Sequence, residues 1–147
     1  MNIPFVDLKS QYHSIKEEID TAIQNVISET AFIQGKYVQR FEEDYAKAYG
    51  VKHCISCGNG TDAIYITLKA LGIGSGDEVI TTANTWISTS ETITQTGATP
   101  VFVDIQPDYY LIDVSKIEEK ITPKTKAIIP VHLFGHPAEM DQIMDIC

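Results

Sequence analysis

A glycine-rich segment, Gly58-Asn59-Gly60-Thr61-Asp62, has the residue types of an anion-binding loop. It follows an apolar run that ends at Cys57 and precedes an apolar stretch with helical spacing. Backbone amides at the start of a helix lack partners within the helix and lie at the positive end of its dipole, so they can converge on a phosphate. The alternative is an ordinary strand-to-helix turn capped by Thr61 or Asp62. The pattern alone leaves both interpretations open, because a glycine-rich turn is a weak signal.

The same glycines also match the dinucleotide-binding fingerprint, with Ala63 in the third place. That fold needs an acidic residue at the end of the following strand to bind the ribose. Here the strand ends in Thr81 and Thr82, which argues against a nicotinamide cofactor. A Walker phosphate loop is excluded because no lysine follows the glycines.

Trp86, the only tryptophan, lies just beyond the next predicted strand and therefore at the same edge of the sheet as the glycine loop. A planar aromatic side chain at this edge could stack on the ring of a cofactor whose phosphate rests on the loop. The alternative is a tryptophan packed in the core.

The cysteines, histidines and clustered acidic residues are weaker candidates for a metal-binding or active site. Cys54 and Cys57 form a lone CxxC pair, which lacks the further ligands that a zinc site needs. His132 lies at the end of a predicted strand and is a candidate active-site residue, but the glycine and proline around His136 prevent one helix from presenting both histidines. The cluster Glu42 to Asp44 is interpreted as the solvated face of a helix.

The elements that must position these residues alternate between strands and helices. The predicted strands are Val51 to Cys57, Glu78 to Thr82, Val101 to Asp104 and Ala127 to Val131. The predicted helices are Lys9 to Glu29, Val38 to Ala48 with Gly50 as its stop, Thr61 to Leu71, Trp86 to Thr96, Ser115 to Ile121 with a Ser115/Glu118 capping box, and Pro137 to Cys147. This order predicts an α/β fold with a mostly parallel sheet, whose ligands gather at the carboxyl ends of the strands.

Composition limits the classes of partner. The 147 residues are 44% hydrophobic and 21% charged, as in a soluble globular domain. The formal net charge is -9 and Arg40 is the only arginine, so the chain repels nucleic acid and anionic membrane surfaces. Without an apolar run of membrane-spanning length or an export signal, we expect a cytoplasmic protein with reduced thiols.

Several motifs, taken in order, resemble the DegT family of pyridoxal-phosphate-dependent sugar aminotransferases. Each motif is weak alone, and their order along the whole chain makes the resemblance specific. The motifs are Ile3 to Leu8, Phe32 to Gly35, Val38 with Phe41 and Glu42, Gly58 to Ala63, Thr85 with Trp86, Gly97 to Asp104, and Val131 to Met140.

The resemblance implies the large domain of the aspartate-aminotransferase type, pyridoxal-phosphate fold type I. That domain has a mostly parallel sheet with helices on both faces, and the family adds a smaller C-terminal domain and works as a homodimer. We therefore expect residues 1–147 to be the N-terminal, truncated portion of this domain, with N-terminal helices over 1–50 and alternating strands and helices over 51–147. We expect the C-terminal part to be absent.

The resemblance also implies roles for individual residues. Gly60, Thr61 and Asp62 would bind the phosphate of pyridoxal 5'-phosphate through backbone amides and the Thr61 hydroxyl, and Trp86 would stack on its pyridine ring. The expected substrate contacts are Phe32, Gly35 and His132.

The implied reaction moves an amino group from an amino acid, usually glutamate, to a keto group of a nucleotide-linked sugar. In the family, the lysine that forms a Schiff base and the aspartate that pairs with the pyridinium nitrogen follow the Val131 to Met140 motif. None of the ten lysines stands in the family's lysine motif, so we expect these residues alone to be inactive. The alternatives are a cofactor-dependent sugar dehydratase of the same superfamily and a non-catalytic binding or oligomerisation module.

Overall fold

The first 56 residues form one of two compact units, and the second extends from Cys57 to Cys147. The computed structural model describes residues 4–147, so Ile3 of the first motif lies outside the described residues. In the first unit the helices are α1 (Leu8–Ser14), α2 (Lys16–Ser28) and α3 (Lys36–Tyr49). Gly50 ends α3 with a left-handed φ of 64°, as the sequence predicts.

The single helix predicted over Lys9 to Glu29 is instead two helices with a break at Ile15. The Ser14 hydroxyl donates to the Gln11 carbonyl oxygen at 2.7 Å, which is the acceptor that a continuous helix would offer to the Ile15 amide. The Ile15 amide donates to Tyr12 instead, and its φ of −126° is not helical. The non-helical backbone of Ile15 thus interrupts a stretch whose apolar spacing is continuous, and the Ser14 hydroxyl bonds the carbonyl oxygen that the Ile15 amide does not reach.

The strand predicted over Val51 to Cys57 is wrong. The structure contains no strand there and no partner strand for it within residues 4–147, so its backbone cannot form a ladder. Instead, the Ser56 amide and hydroxyl donate to Glu42 Oε1 at 2.8 and 2.7 Å. These hydrogen bonds, the backbone one foremost, hold the pKa of Glu42 below its ordinary value. Glu42 is therefore a structural residue as well as part of a solvated helix face.

The second unit contains the sheet. Its strands are β1 (Glu78–Thr82), β2 (Thr99–Val103) and β3 (Thr125–Ile129), in the order β2-β1-β3, and both neighbours of β1 run parallel to it. Its helices are α4 (Gly60–Ala70), α5 (Ser88–Thr96) and α6 (Met140–Ile146). The three strands agree with prediction to within about two residues at each end.

Alternating side chains of β1 support a separate core on each face of the sheet. Ile80 pairs in register with Val101 and Ile128, and this face packs against short 3-10 turns and α6. Val79 faces the opposite side with Leu68 of α4 and Ile93 of α5. The expected α/β sheet covered on both faces is confirmed.

Three predicted helices of the second unit differ from the structure, one in type and two in their first residue. Ser115 to Ile121 forms no α-helix but two 3-10 turns, Val114–Lys116 and Glu118–Lys120. The predicted capping box is wrong because Asp113, not Ser115, is the cap: its carboxylate accepts from the Ser115 amide at 3.2 Å. The last two α-helices begin at Ser88 and Met140, later than Trp86 and Pro137. None of the helices in residues 4–147 has both the length and the apolar character needed to cross a bilayer.

Two glycines with left-handed backbones allow a matched stability test. A Cβ at Gly97 (φ +92°) would lie 3.3 Å from the Ser75 amide nitrogen, whereas a Cβ at Gly72 (φ +76°) would meet nothing within 4 Å. We expect Gly72→Ala to lower the free energy of unfolding by about 1 kcal/mol from backbone conformation alone. Gly97→Ala should lower it by about 2–3 kcal/mol because steric strain is added. Denaturant unfolding measures both, and equal losses would contradict the close approach.

Candidate functional site

Asn59 organises the loop that precedes α4. Its side-chain oxygen accepts from the Asp62 amide at 2.9 Å, and its carbonyl oxygen accepts from the Ala63 amide at 3.1 Å. Asn59 is therefore the N-cap, and a cap at Thr61 or Asp62 is wrong. The strong preference of asparagine for this position is a signal that the sequence already contained.

The cap leaves two amides available at the start of the helix. The Gly60 and Thr61 amides make no hydrogen bond to any atom of residues 4–147. A Cβ at Gly60 would meet nothing within 4 Å, so the space beside these donors is open. At Gly58 a Cβ would lie 2.7 Å from an Asp62 carboxylate oxygen, so a larger residue there would require the Asp62 side chain to move. The loop thus offers two converging donors to an anion.

A hydrogen bond between hydroxyl groups joins this loop to the segment that carries Trp86. Thr61 Oγ1 and Ser88 Oγ lie 2.7 Å apart, and Ser88, the first residue of α5, is buried. Sequence reasoning missed Ser88, because no local pattern links two residues 27 positions apart. The loop and the tryptophan therefore belong to one local arrangement.

Trp86 is 77% exposed, so the core alternative for this residue is wrong. It lines an open cleft of about 530 Å³ together with residues from the loops after β1, β2 and β3. This meeting of loops agrees with the rule that ligands of parallel sheets gather at the carboxyl ends of the strands. The lining residues are Asn84, Thr85, Trp86, Tyr110, Leu133 and Phe134.

Two of these lining residues have unusual backbones. Tyr110 and Phe134 adopt left-handed φ values of 59° and 53°, which cost free energy in residues other than glycine. Such conformations cluster at binding sites, where the surrounding structure holds a side chain in place. Neither residue was a sequence candidate, because tertiary structure determines their φ angles.

The predicted histidine candidates occupy different environments. His132 Nδ1 accepts from the Ala138 amide at 3.0 Å, so its neutral form carries the proton on the exposed Nε2. His136 stacks against Tyr109, with ring centroids 5.1 Å apart and an interplanar angle of 15°. His132 thus holds the turn after β3 through one nitrogen while the other remains free to donate.

Phe32 and Gly35, the other substrate candidates, lie in the first unit. Phe32 is exposed, and Gly35 precedes α3 with a left-handed φ of 91° that suits glycine. The structure places them before the helix, as the break in the sequence pattern predicts.

Lys116 is held by two carboxylates near the end of β2. Its ammonium nitrogen lies 3.3 Å from Asp113 and 3.5 Å from Asp104. The hydrogen bond to Asp113, assisted by the charge of Asp104, raises the pKa of Lys116 above its ordinary value. This lysine is therefore a poor nucleophile at neutral pH, because it stays protonated.

Comparison with known proteins identifies relatives along nearly the whole chain. The profile of the DegT/DnrJ/EryC1/StrS aminotransferase family matches residues 13–147. A Geobacillus stearothermophilus protein named "pleiotropic regulatory protein" is 50% identical over 146 residues, which cover 99% of this chain and 39% of that protein. UDP-2-acetamido-2-deoxy-3-oxo-D-glucuronate aminotransferase from Pseudomonas aeruginosa is 50% identical over 141 residues, which cover 96% of this chain and 39% of the enzyme.

Solved structures show the same fold. Streptomyces venezuelae DesV, in complex with a ketimine intermediate, superimposes with a TM-score of 0.94 at 39% identity, over 98% of this chain and 39% of DesV. Bacillus subtilis NtdA with bound cofactor PMP superimposes with a TM-score of 0.87 at 40% identity, over 90% of this chain and 31% of NtdA. The chain spans about two fifths of the length of the curated relatives it matches.

The hydrogen bond of His132 predicts different effects for two isosteric replacements. Asparagine places an acceptor near the position of Nδ1, whereas glutamine places its amide near Nε2. We therefore expect His132→Gln to lower the free energy of unfolding by about 1 kcal/mol, because the Ala138 amide loses its partner, and His132→Asn to lower it by less than half as much. Urea unfolding measures both values. Equal stability of the two variants would show that the Nδ1 contact does not hold this turn.

Proposed function

The chain belongs to the DegT/DnrJ/EryC1/StrS aminotransferase family, and we propose that it forms the N-terminal part of the cofactor-binding domain of a nucleotide-sugar aminotransferase. The proposed reaction transfers an amino group from an amino acid, with glutamate as the proposed donor, to a keto group on the sugar. The names of the similar aminotransferases support this substrate class.

One observation carries the cofactor part of the proposal. The two free amides and the Thr61 hydroxyl lie at the start of α4, and the Thr61–Ser88 hydrogen bond connects them to α5, which begins two residues after the exposed Trp86. A ligand with a phosphate group and a planar ring matches this combination of anion donors and an exposed aromatic face. Pyridoxal 5'-phosphate has both groups, and the residues present fit it.

Each residue of the loop has a proposed role. The Gly60 and Thr61 amides and the Thr61 hydroxyl hold the phosphate, and Trp86 covers one face of the ring. The Asp62 amide already donates to Asn59, so we assign Asp62 to shaping the loop rather than to direct contact through this amide. When bound, the cofactor supplies the electron sink for amino transfer, while the protein orients it.

Local donors matter because the chain as a whole repels anions. With a formal net charge of -9 and one arginine, attraction of the phosphate must come from amides, a hydroxyl and the dipole of α4. The exposed Nε2–H of His132 is a proposed donor to substrate, and Phe32 and Gly35 remain proposed substrate contacts on the family resemblance. We also propose that the whole protein is a cytoplasmic homodimer.

The Schiff-base lysine is proposed to lie outside these residues. Among residues 4–147, the lining of the Trp86 cleft includes no lysine. Lys116 is paired with two carboxylates, while Lys124 and Lys126 lie at the start of β3, at the edge of the sheet away from the cleft. We therefore propose that these 147 residues alone have no transaminase activity.

The stacking role of Trp86 is tested with pyridoxamine 5'-phosphate, which binds without a covalent bond to lysine. We expect Trp86→Ala to weaken its affinity about three- to tenfold because an aromatic stacking contact is lost, and Trp86→Phe to retain most of the affinity. Calorimetric titration of the protein that carries this chain measures the dissociation constants. Unchanged affinity in Trp86→Ala would contradict stacking, and no binding by the unsubstituted protein would contradict the cofactor assignment.

The absence of a suitable lysine is tested by borohydride reduction. After incubation of the 147-residue chain with pyridoxal 5'-phosphate and reduction, peptide mass mapping should find only low labelling spread over exposed lysines. Pyridoxal without phosphate is the control and should label the same lysines to a similar extent, because no phosphate site directs the reaction to any of them. A single lysine labelled stoichiometrically, and only by the phosphorylated aldehyde, would overturn the prediction.

A further inference from the structure

Ser88 makes an unusual hydrogen bond for a hydroxyl of α5. The buried hydroxyls of Thr92 and Thr96 donate back to carbonyl oxygens of their own helix, Thr92 to Ser88 and Thr96 to Ile93, each at 2.7 Å. Ser88 is the first residue of the helix and has no preceding turn within it to receive its proton. Its hydroxyl instead lies 2.7 Å from Thr61 Oγ1 of the glycine loop.

The direction of this hydrogen bond determines what Thr61 offers to a ligand. A hydroxyl group has one proton and two acceptor lone pairs. If Thr61 donates to Ser88, its proton is used and only lone pairs face the space beside the Gly60 amide, where they repel an anion. If Ser88 donates to Thr61, the Thr61 proton stays available for the anion.

We propose that Ser88 is a positioning residue that donates to Thr61 Oγ1 and so directs the Thr61 hydroxyl proton toward the phosphate of the cofactor. This inference rests on the proposed cofactor function. Ser88 itself does not contact the phosphate in this arrangement. Its donation polarises the Thr61 hydroxyl, which strengthens the bond from Thr61 to a charged oxygen.

The same bond links the two parts of the proposed cofactor site. Thr61 lies in the first turn of α4, and Ser88 begins α5 two residues after Trp86. Because Ser88 is only 6% exposed, its side chain has little freedom to choose another partner. A single buried hydroxyl therefore decides whether the Thr61 proton is available to the phosphate.

The test compares two ligands in the protein that carries this chain. Pyridoxamine 5'-phosphate probes the phosphate contact, and pyridoxamine probes the ring contacts alone. We expect Ser88→Ala to weaken the first ligand about fivefold and the second less than twofold, because the lost hydrogen bond serves only the phosphate donor. Ser90→Ala is the matched control: Ser90 lies on the same helix, its hydroxyl donates to the Ile87 carbonyl, and neither affinity should change.

A double-mutant cycle tests whether Ser88 affects ligand affinity through the Thr61 hydroxyl. Thr61→Val should weaken pyridoxamine 5'-phosphate at least as much as Ser88→Ala, and adding Ser88→Ala to Thr61→Val should cause no further loss, because the hydroxyl that Ser88 orients is gone. Additive losses would overturn the inference. Equal weakening of both ligands by Ser88→Ala would also overturn it, since that pattern indicates a general structural role.

The outcomes separate the inference from the proposed function. If the unsubstituted protein binds pyridoxamine 5'-phosphate in preference to pyridoxamine and Ser88→Ala changes neither affinity, the positioning role fails while the cofactor assignment stands. If the unsubstituted protein binds neither ligand, the cofactor assignment fails and the positioning role fails with it. Thermal melting of each variant confirms that affinities are compared between folded proteins.

Discussion

The parallel pairing of β1 with strands on both sides is the constraint on which the second unit depends. All side chains of β1 after Glu78 are buried, and successive ones pack into the cores on opposite faces of the sheet. Because β2 and β3 both run parallel to β1, all three strands end at the same edge. The following loops therefore meet there and form the cleft around Trp86, with the packed sheet as a rigid support.

The proposed anion-binding loop uses some of its hydrogen-bonding groups for its own structure and leaves others available to a ligand. The Asn59 side chain accepts a hydrogen bond from the Asp62 amide and so stabilises the turn. The Gly60 and Thr61 amides have no hydrogen-bond partner within residues 4–147. The Thr61 hydroxyl also bonds Ser88, and in the proposed arrangement its own proton stays available to the ligand. In a chain with an excess of acidic residues, the proposed phosphate site depends on such local donors.

Hydroxyl groups also join elements elsewhere in the second unit. Thr81 Oγ1 donates to the Ile129 carbonyl oxygen at 3.0 Å and so links β1 to β3 through a side chain. Within residues 4–147 no buried side-chain nitrogen or oxygen lacks a hydrogen-bond partner. The threonines that interrupt the apolar pattern of β1 and α5 are therefore compatible with a core, because each polar atom can be satisfied without water.

Local signals were enough to predict the strands of the second unit and the loop before α4, but not its short helices: β-branched runs predicted β1 to β3, and glycines before an apolar stretch predicted the loop. They were insufficient for Val51 to Cys57, because strand propensity cannot supply a partner strand. Nor could they find the helix break at Ile15, the exposure of Trp86, or Ser88 opposite Thr61. The sequence by itself determined which residues could bind a phosphate and a ring, since residue type and helix position set that chemistry. Only the tertiary structure decided which of their donors stay available, because hydrogen-bond partners distant in sequence meet only in the folded chain.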